Sequence, residues 1–503
     1  MLSAQSTLVR RTSSVAVLWL CLSVIGLPLL RAAPQPTYTL TGSFRYQDFQ
    51  GYKLLPFEVP PGTKRLTVEL SYTARDQGTI LDVGLFDPER FRGWSASFKS
   101  SFTISEVDAT PSYLPGPLPP GTWKLLLGVP SIRPGVTSEY TLEVFLASSR
   151  EPSPAAGLPP SVIRSESGWY RGDLHAHTGH SDGSCLSLGG KRVPCPEFKL
   201  LQAAAARGLD FLAVTDHNTT STYNALRQWQ PYFDTLALLR GREITTYHGH
   251  ANIYGTSQFI DFRLGDEGRT VRTLLEQVHR AGAILSINHP RIPSGENCTG
   301  CGWTSKPTTD FSQVDAIEVV NGSDADTPTS GIPFWEEQLN QGYRITGIGG
   351  SDDHHAATEP ENGDAVGVPT TVVYARELSE SSILQGIKAG HVYLKLKGPE
   401  GTDVFFTATH REQNAIVGDN LHTTEGEQIH FAVQVVGGQG NTVEIVHNGL
   451  PERLLADPDV HDPAEIKLFN VTADGGRHWY RINLRAPDGT LLALTNPIYL
   501  NFP

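Results

Sequence analysis

Basic side chains are in the minority in this chain: 40 lysines and arginines face 53 aspartates and glutamates, a formal net charge of -13. A surface that tracks phosphates needs the opposite excess, so the balance argues against nucleic acid as a partner. Charged residues make up 18% and hydrophobic ones 39%, which excludes neither large buried cores nor ordinary solubility and gives no sign of bulk disorder or a polytopic membrane protein. There is no convincing internal repeat, and low complexity is confined to one connector. At 503 residues the chain exceeds what one hydrophobic core usually organises, so two or three domains are expected.

Cysteine is scarce, with five in the chain. Cys21 lies inside an N-terminal apolar run, Val15 to Leu30, that follows Arg10-Arg11 and precedes Ala32-Ala33. This order reads as an export signal over residues 1–33, with the mature chain beginning near Ala33 or Pro34. An uncleaved anchor is the competing reading, but Gly26 and Pro28 interrupt the run and it is short for a span. The arginine pair leaves general secretion and twin-arginine export both open. Leu18, Trp19 and Leu20 before Cys21 are poor for lipoprotein cleavage, so that cysteine is expected to leave with the signal. The resulting expectation is an exported protein, periplasmic or extracellular, with no stable membrane insertion. In an oxidising compartment the remaining Cys185, Cys195, Cys298 and Cys301 favour disulfides, Cys185 to Cys195 and Cys298 to Cys301 by proximity. Three connectivities stay formally open, and the Cys298-x-x-Cys301 spacing leaves a four-thiolate zinc site as the alternative.

Residues 37–147 alternate β-branched and aromatic runs such as Leu66-Thr67-Val68-Glu69-Leu70 with Pro-Gly turns at Pro61-Gly62 and Pro120-Gly121, the pattern of a β-sandwich. Residues 148–168 are rich in Ser, Pro and Gly and read as a linker. Strands then alternate with helices over 169–397, which predicts an α/β domain. Helices are expected at Phe198 to Arg207, closed by Gly208, at Val271 to Arg280, and from a Ser379 cap to Ala389. Strands are expected at Phe211 to Val214, Ile284 to Ile287, Val314 to Val320 and Ile345 to Ile348. A second β-sandwich is predicted over 398–503.

The central segment concentrates histidines and carboxylates where its strands end: Asp173-Leu174-His175-Ala176-His177 with Asp182, Thr215-Asp216-His217, Glu243, His248 and His250, Asn288-His289-Pro290, and Ser351-Asp352-Asp353-His354-His355. Residues at i and i+2 of a strand share a face, which suits two imidazoles on one ion. A lone histidine at a strand end is more often packed or solvated than a ligand. So many at successive strand ends, however, must all find partners if buried, and metal ions supply them.

That ordered set resembles the polymerase and histidinol phosphatase superfamily over about residues 169–395, and within it the branch containing bacterial carbaryl hydrolase. Gly249-His250-Ala251-Asn252 and Val368-Pro369-Thr370-Thr371 fit the same branch. The resemblance implies a distorted (β/α)7 barrel flanked by the two β-sandwiches, holding two or three divalent transition-metal ions. It would place His175, His177, Glu243 and Asp352 on a first ion, with Glu243 bridging to a second held by His250 and His289. Asp182, His217 and His354 would hold a third. His248, His180 and His355 are alternatives to His250, Asp182 and His354. The implied activity is a metal-dependent hydrolase acting on a small-molecule ester, with a hydroxide shared between ions as nucleophile.

Glu243 and Asp352 carry the catalytic role as ligands, Asp216 and Asp353 would orient ligands, and Arg291 is a candidate contact for an anionic substrate or else a surface arginine. A phosphate mono- or diester is the leading substrate class. A carboxylic or carbamate ester is the close alternative, and a non-catalytic extracellular binding protein the distant one. Imidazole and carboxylate ligands accept zinc, manganese or iron. Specificity is expected in the loops around the two cysteine pairs.

Overall fold

The protein is described here by a computed structural model that covers residues 35–95, 97, 99–148, 162–265, 268–294, 300–357 and 365–503. The expected export signal, most of the linker and Cys298 lie outside the described residues. Among those described, no helix is long and apolar enough to cross a membrane.

The first part of the chain forms two four-stranded antiparallel sheets. One runs Tyr38–Arg45, Thr137–Ala147, Arg65–Tyr72, Ser101–Ser105, and the other Tyr52–Val59, Gly121–Ser131, Ile80–Phe86, Phe91–Trp94. Period-two patterning dictates the packing: Ser138, Tyr140, Leu142 and Val144 point inward while their neighbours are more exposed. Leu66, Val68, Val83, Trp123 and Leu125 fill the space between the sheets. Gly62, at φ 85°, lets the Pro61-Gly62 turn close the path into Arg65–Tyr72 without a Cβ penalty. Asp108 of this region binds both Arg65 (3.1 Å) and Arg227 (2.5 Å), the latter from the central region.

The central region is a mixed sheet of β1 (Gly168–Asp173), β2 (Phe211–Val214), β3 (Ala237–Thr246), β4 (Gly249–Tyr254), β5 (Ile284–Ile287), β6 (Ala316–Asn321), β7 (Thr346–Gly350), β8 (Thr370–Ala375) and β9 (Val392–Lys395). Their order is β7-β6-β5-β4-β3-β2-β1-β8-β9. Five α-helices are described: α1 (Glu197–Ala206), α2 (Tyr223–Trp229), α3 (Val271–Arg280), α4 (Ile332–Gln341) and α5 (Glu380–Lys388). Ser379 accepts from the Ser382 N–H at the start of α5, and Gly390 follows its end at φ 76°.

The architecture is mixed α/β with more strand than helix, and it departs from an unbroken strand–helix alternation. Helices α1, α2 and α4 cross between parallel neighbours, but β4 runs antiparallel to both β3 and β5, and β8 antiparallel to β1 and β9. Only Tyr247 and His248 separate β3 from β4. A parallel return needs a crossover of a dozen residues or more, so this connection can only be a hairpin.

The sheet curls until β7 lies beside β8, where side chains bridge the seam in place of a backbone ladder. Thr371 Oγ1 contacts both the N–H and C=O of Gly349 (2.9 and 2.7 Å), while Asn496 does the same for Gly347 (2.7 and 2.8 Å) and also donates to Val392 O (3.0 Å), bridging β7 to β9. Asn496 belongs to the C-terminal region, where β10 (Thr442–His447), β11 (His478–Arg485) and β12 (Leu491–Thr495) continue the central sheet through β9–β12 pairing. A separate four-stranded sheet, ordered Gln413–Ile416, Asp403–His410, Gln428–Val436, Ala464–Thr472, packs over it through Phe406, Phe431, Val433, Ile482 and Leu484.

Candidate metal centre

The chain places most of its candidate histidines and carboxylates toward the carboxyl ends of β1, β2, β3, β5 and β7, with His250 at the start of β4. Asp173, fully buried at the end of β1, accepts backbone N–H groups from His175 (3.1 Å), Ser351 (3.0 Å) and Gly367 (2.7 Å), so one carboxylate ties three loops together. His177 N–H then donates to Asp353 O (2.9 Å) and Asp352 N–H to His175 O (2.8 Å), which sets the two ligand-rich loops side by side in extended form. In that form His175 and His177 alternate as strand residues do and present their rings together. Gly350 makes the close approach possible: a Cβ there would lie 2.3 Å from His175 Cβ and 2.7 Å from Glu318 Oε1.

Glu243, 1% exposed on β3, sits in the middle. Its oxygens lie 3.6 Å from His175 Nε2, 3.7 Å from His177 Nε2, 2.8 Å from His217 Nδ1, 3.3 Å from His250 Nδ1 and 3.4 Å from His289 Nε2. Asp352 Oδ1 stands 3.2 Å from His175 Nε2 and 3.0 Å from His177 Nε2. On the outer side Asp182 Oδ1 lies 3.5 Å from His217 Nε2 and 3.3 Å from His354 Nε2. Three groups can each hold one ion: His175, Glu243 and His289; His175, His177 and Asp352; and His177, Asp182, His217 and His354. The first is buried and the second is buried but for Asp352, partly exposed at its edge, whereas the Asp182 side chain is 59% exposed, so the third group faces solvent.

The donor set fits divalent ions on its own geometry. His175 Nε2, His177 Nδ1 and His250 Nε2 are buried without a hydrogen-bond partner. Two ligands ~2.1 Å from one tetrahedral ion lie ~3.4 Å apart, which is the range of most of the nitrogen–oxygen separations above and longer than a good hydrogen bond. His289 (φ 26°) and Asp352 (φ 55°) hold backbone conformations unfavourable for residues with a Cβ, the kind of local strain that persists where the surroundings over-determine a site.

Electrostatics agree. Burial opposes ionisation of Glu243, yet His175 and the neighbouring imidazoles outweigh it and hold its carboxyl well below the usual range. Burial disfavours charge on His217 and His354, but Asp182 overrides it, with Glu243 also acting on His217 and Asp352 on His354. His217 is raised to about 10 and His354 to about 9. Without ions, protons on these rings balance the carboxylates.

Glu318 went unremarked in the sequence reading. It is 2% exposed on β6, accepts from His175 Nδ1 (2.9 Å), and its other oxygen accepts from His289 N–H (2.9 Å) and Asn321 Nδ2 (3.1 Å). Asn321 Nδ2 also donates to Asp352 Oδ2 (3.2 Å), and Asn288 Nδ2 to Glu243 Oε1 (2.9 Å). The signal was present: a lone glutamate inside the apolar run Ala316-Ile317-Glu318-Val319-Val320 cannot be buried without partners.

The alternatives are placed elsewhere. His180 Nδ1 faces Ser221 Oγ (2.6 Å), and His355 Nδ1 faces Ser184 O (3.2 Å). His248 O accepts from the Thr304 and Ser305 N–H groups, with its ring near Gly265. Asp216 accepts from Thr178, Ser181 and Thr222 and shapes the loop that carries Asp182. Asp353 accepts the N–H groups of His355 and Ala357, and burial raises its carboxyl to about 6. Arg291 is exposed and donates to Ser330 O (3.3 Å). Cys185 and Cys195 form a disulfide behind this loop, where Gly179 N–H donates to Cys195 O (2.7 Å) and Ser184 N–H to His354 O (2.7 Å). Cys301 is also disulfide-bonded.

No family model matches the chain, and no curated protein does. Among solved structures it is similar to a two-domain protein from Bacteroides vulgatus containing a predicted PHP-like metal-dependent phosphoesterase, at 16% identity and a TM-score of 0.38, covering 66% of this chain and 96% of that one. It is also similar to a candidate metal-dependent phosphoesterase from Bifidobacterium adolescentis, at 12% identity and a TM-score of 0.30, covering 43% of this chain and 94% of that one.

Proposed function

We propose that this chain is an exported metal-dependent hydrolase of the polymerase and histidinol phosphatase type, acting on a small-molecule phosphate mono- or diester. The observation that carries the reading is the convergence of five imidazoles on the buried Glu243 carboxylate, with ring nitrogens of His175 and His250 left unpartnered beside it.

His175, His177, Glu243 and Asp352 would hold one ion, Glu243, His250 and His289 a second, and Asp182, His217 and His354 a third. When bound, such ions supply Lewis acidity toward an ester oxygen and lower the pKa of a water. The chain's own residues do the rest. Glu318 fixes His175 with its proton on Nδ1, so that Nε2 offers its lone pair to the centre. Asn288 and Asn321 hold the carboxylates of Glu243 and Asp352 by donating to the oxygens. The buried groups exclude bulk water from one side, and the exposed Asp182 side is where substrate enters. Arg291, two residues beyond His289, offers a guanidinium to an anionic ester. Arg10-Arg11 with the apolar run behind it, and the Cys185–Cys195 disulfide, support export to an oxidising compartment.

The test is hydrolysis of p-nitrophenyl phosphate against 1-naphthyl esters and carbamates by protein reconstituted with zinc, manganese or iron(II). Phosphate release that depends on metal and is lost in Glu243→Gln supports the reading. Turnover of carboxylic or carbamate esters alone would move the substrate class to the alternative on the same centre. No turnover by metal-replete protein would leave a binding protein.

A further inference from the structure

A second cluster of imidazoles and carboxylates lies in the C-terminal region, away from the centre described above. His447 ends β10 and His478 opens β11. The turn Asn448-Gly449, with φ 50° and 88°, folds the chain back so that Glu452 stands over His447. Glu452 Oε2 lies 2.8 Å from His447 Nδ1, His447 Nε2 lies 2.9 Å from His478 Nδ1, and His478 Nε2 lies 2.9 Å from Asp474 Oδ1. Asn448 Oδ1 accepts from Trp479 N–H (3.0 Å), which orients the amide so that its Nδ2 donates to His478 Nδ1 (3.1 Å).

Counting protons along this row exposes a deficit. Carboxylates only accept, so Glu452 requires the His447 proton on Nδ1 and Asp474 requires the His478 proton on Nε2. With one proton on each ring, the inner nitrogens face each other as two lone pairs at 2.9 Å. A cation between the lone pairs relieves it directly, and each ring then has its outer N–H on a carboxylate, the arrangement that orients and strengthens metal-bound histidines.

We propose that His447 Nε2 and His478 Nδ1 form a second metal site for a late first-row divalent ion, copper(II) or nickel(II), oriented by Glu452 and Asp474. Two nitrogens 2.9 Å apart and each ~2.05 Å from one ion subtend ~90° there, the angle of neighbouring positions in square-planar or octahedral coordination. Water completes the shell, since the His447 and His478 side chains are 23% and 22% exposed, and the ion displaces the Asn448 N–H from His478. Stacking on Tyr480, with centroids 4.3 Å apart and planes 7° apart, holds the His447 ring in place. The site sits where the C-terminal region meets α4: Trp479 Nε1 donates to Asn340 Oδ1 (2.9 Å) and Asn340 Nδ2 to Asn448 O (3.3 Å). An ion here staples β10 to β11 at that junction.

The experiment uses the full chain with its central centre already filled with zinc, titrated with copper(II) and followed by electron paramagnetic resonance, with metal content and Tm alongside. One equivalent bound at micromolar copper, a spectrum with splitting from two nitrogens, and a rise in Tm are expected. His447→Gln and His478→Gln should abolish the signal while retaining zinc content and ester hydrolysis. The more exposed Asp474→Asn should weaken copper binding about 10- to 100-fold without changing the copper-free Tm. No added equivalent, binding only at millimolar copper, or a two-nitrogen signal that survives both histidine substitutions overturns the proposal. Zinc content and hydrolysis report on the central centre separately, so the two readings fail independently.

Discussion

Replacing Glu318 by glutamine isolates the control that a buried carboxylate exerts on a ligand. Glu318 Oε1 takes the His175 Nδ1 proton, while Oε2 takes the His289 N–H and the Asn321 amide. Glutamine preserves shape but must place an NH2 at one of these positions. Facing His289 N–H and Asn321 it would set one donor against two, so it turns toward His175, where Nδ1 has to accept. The imidazole proton then shifts to Nε2, the nitrogen 3.2 Å from Asp352 Oδ1 and 3.6 Å from Glu243 Oε1, and covers the lone pair an ion needs. Loss of such an outer partner typically costs about 10- to 100-fold in metal affinity, or roughly 1.4–2.7 kcal/mol. Chelator competition on purified Glu318→Gln measures the affinity. Nitrogen-15 chemical shifts of His175 in the zinc-saturated protein report which ring nitrogen carries the proton, which mere loosening of the fold would not invert. A folded variant with parental affinity, or with its His175 proton still on Nδ1, would refute the reasoning.

Glu243→Gln should bind fewer ions than the parent and reduce metal-dependent hydrolysis to background, as read by metal analysis and initial rates. Metal uptake should release protons below about pH 9, because His217 and His354 titrate near 10 and 9 in the metal-free protein against 6.5 when unperturbed; calorimetry in buffers of different ionisation enthalpy counts them. The same raised values stabilise the metal-free fold fully below about pH 6.5, and that contribution is lost as pH rises through 9 to 10, so the Tm of chelated protein should fall across this window. Cys185→Ala with Cys195→Ala opens a loop of sequence separation 10; a loss of about 2.7 kcal/mol by loop entropy is expected, and the Asp182–His217–His354 ion should leave first, visible in Tm and metal stoichiometry. Asn496→Ala strips the side-chain partner from both the N–H and the C=O of Gly347 on β7, while Val392 O on β9 keeps the backbone N–H of residue 496; with each buried unpaired group costing about 1–3 kcal/mol, urea denaturation should show a loss of about 2 kcal/mol or more.

Much of the local structure was legible before any coordinates. The Val271 to Arg280 helix and the Phe211 to Val214 and Ile284 to Ile287 strands occur with the expected bounds, because periodicity and caps act over a few residues. The set of histidines and carboxylates was visible as a list for a similar reason: each sits directly after, or on, an apolar strand. The antiparallel hairpin of β3 and β4 was harder to see, since a two-residue connection looks like any other turn until its strands pair. Glu318 escaped notice because its partners, His175 and His289, are separated from it by 143 and 29 residues.

By itself the sequence determined which residue types were present to bind metal, several of the strand and helix segments, and that acidic residues outnumber basic ones. Tertiary structure alone decided which imidazoles face Glu243, which of His248 and His250 turns toward it, and that Asn496 from the C-terminal region bridges β7 to β9. The reason is one of range. Propensity and periodicity act between near neighbours along the chain, whereas a shared ligand site or a satisfied buried carboxylate depends on distances that exist only after the sheet has curled.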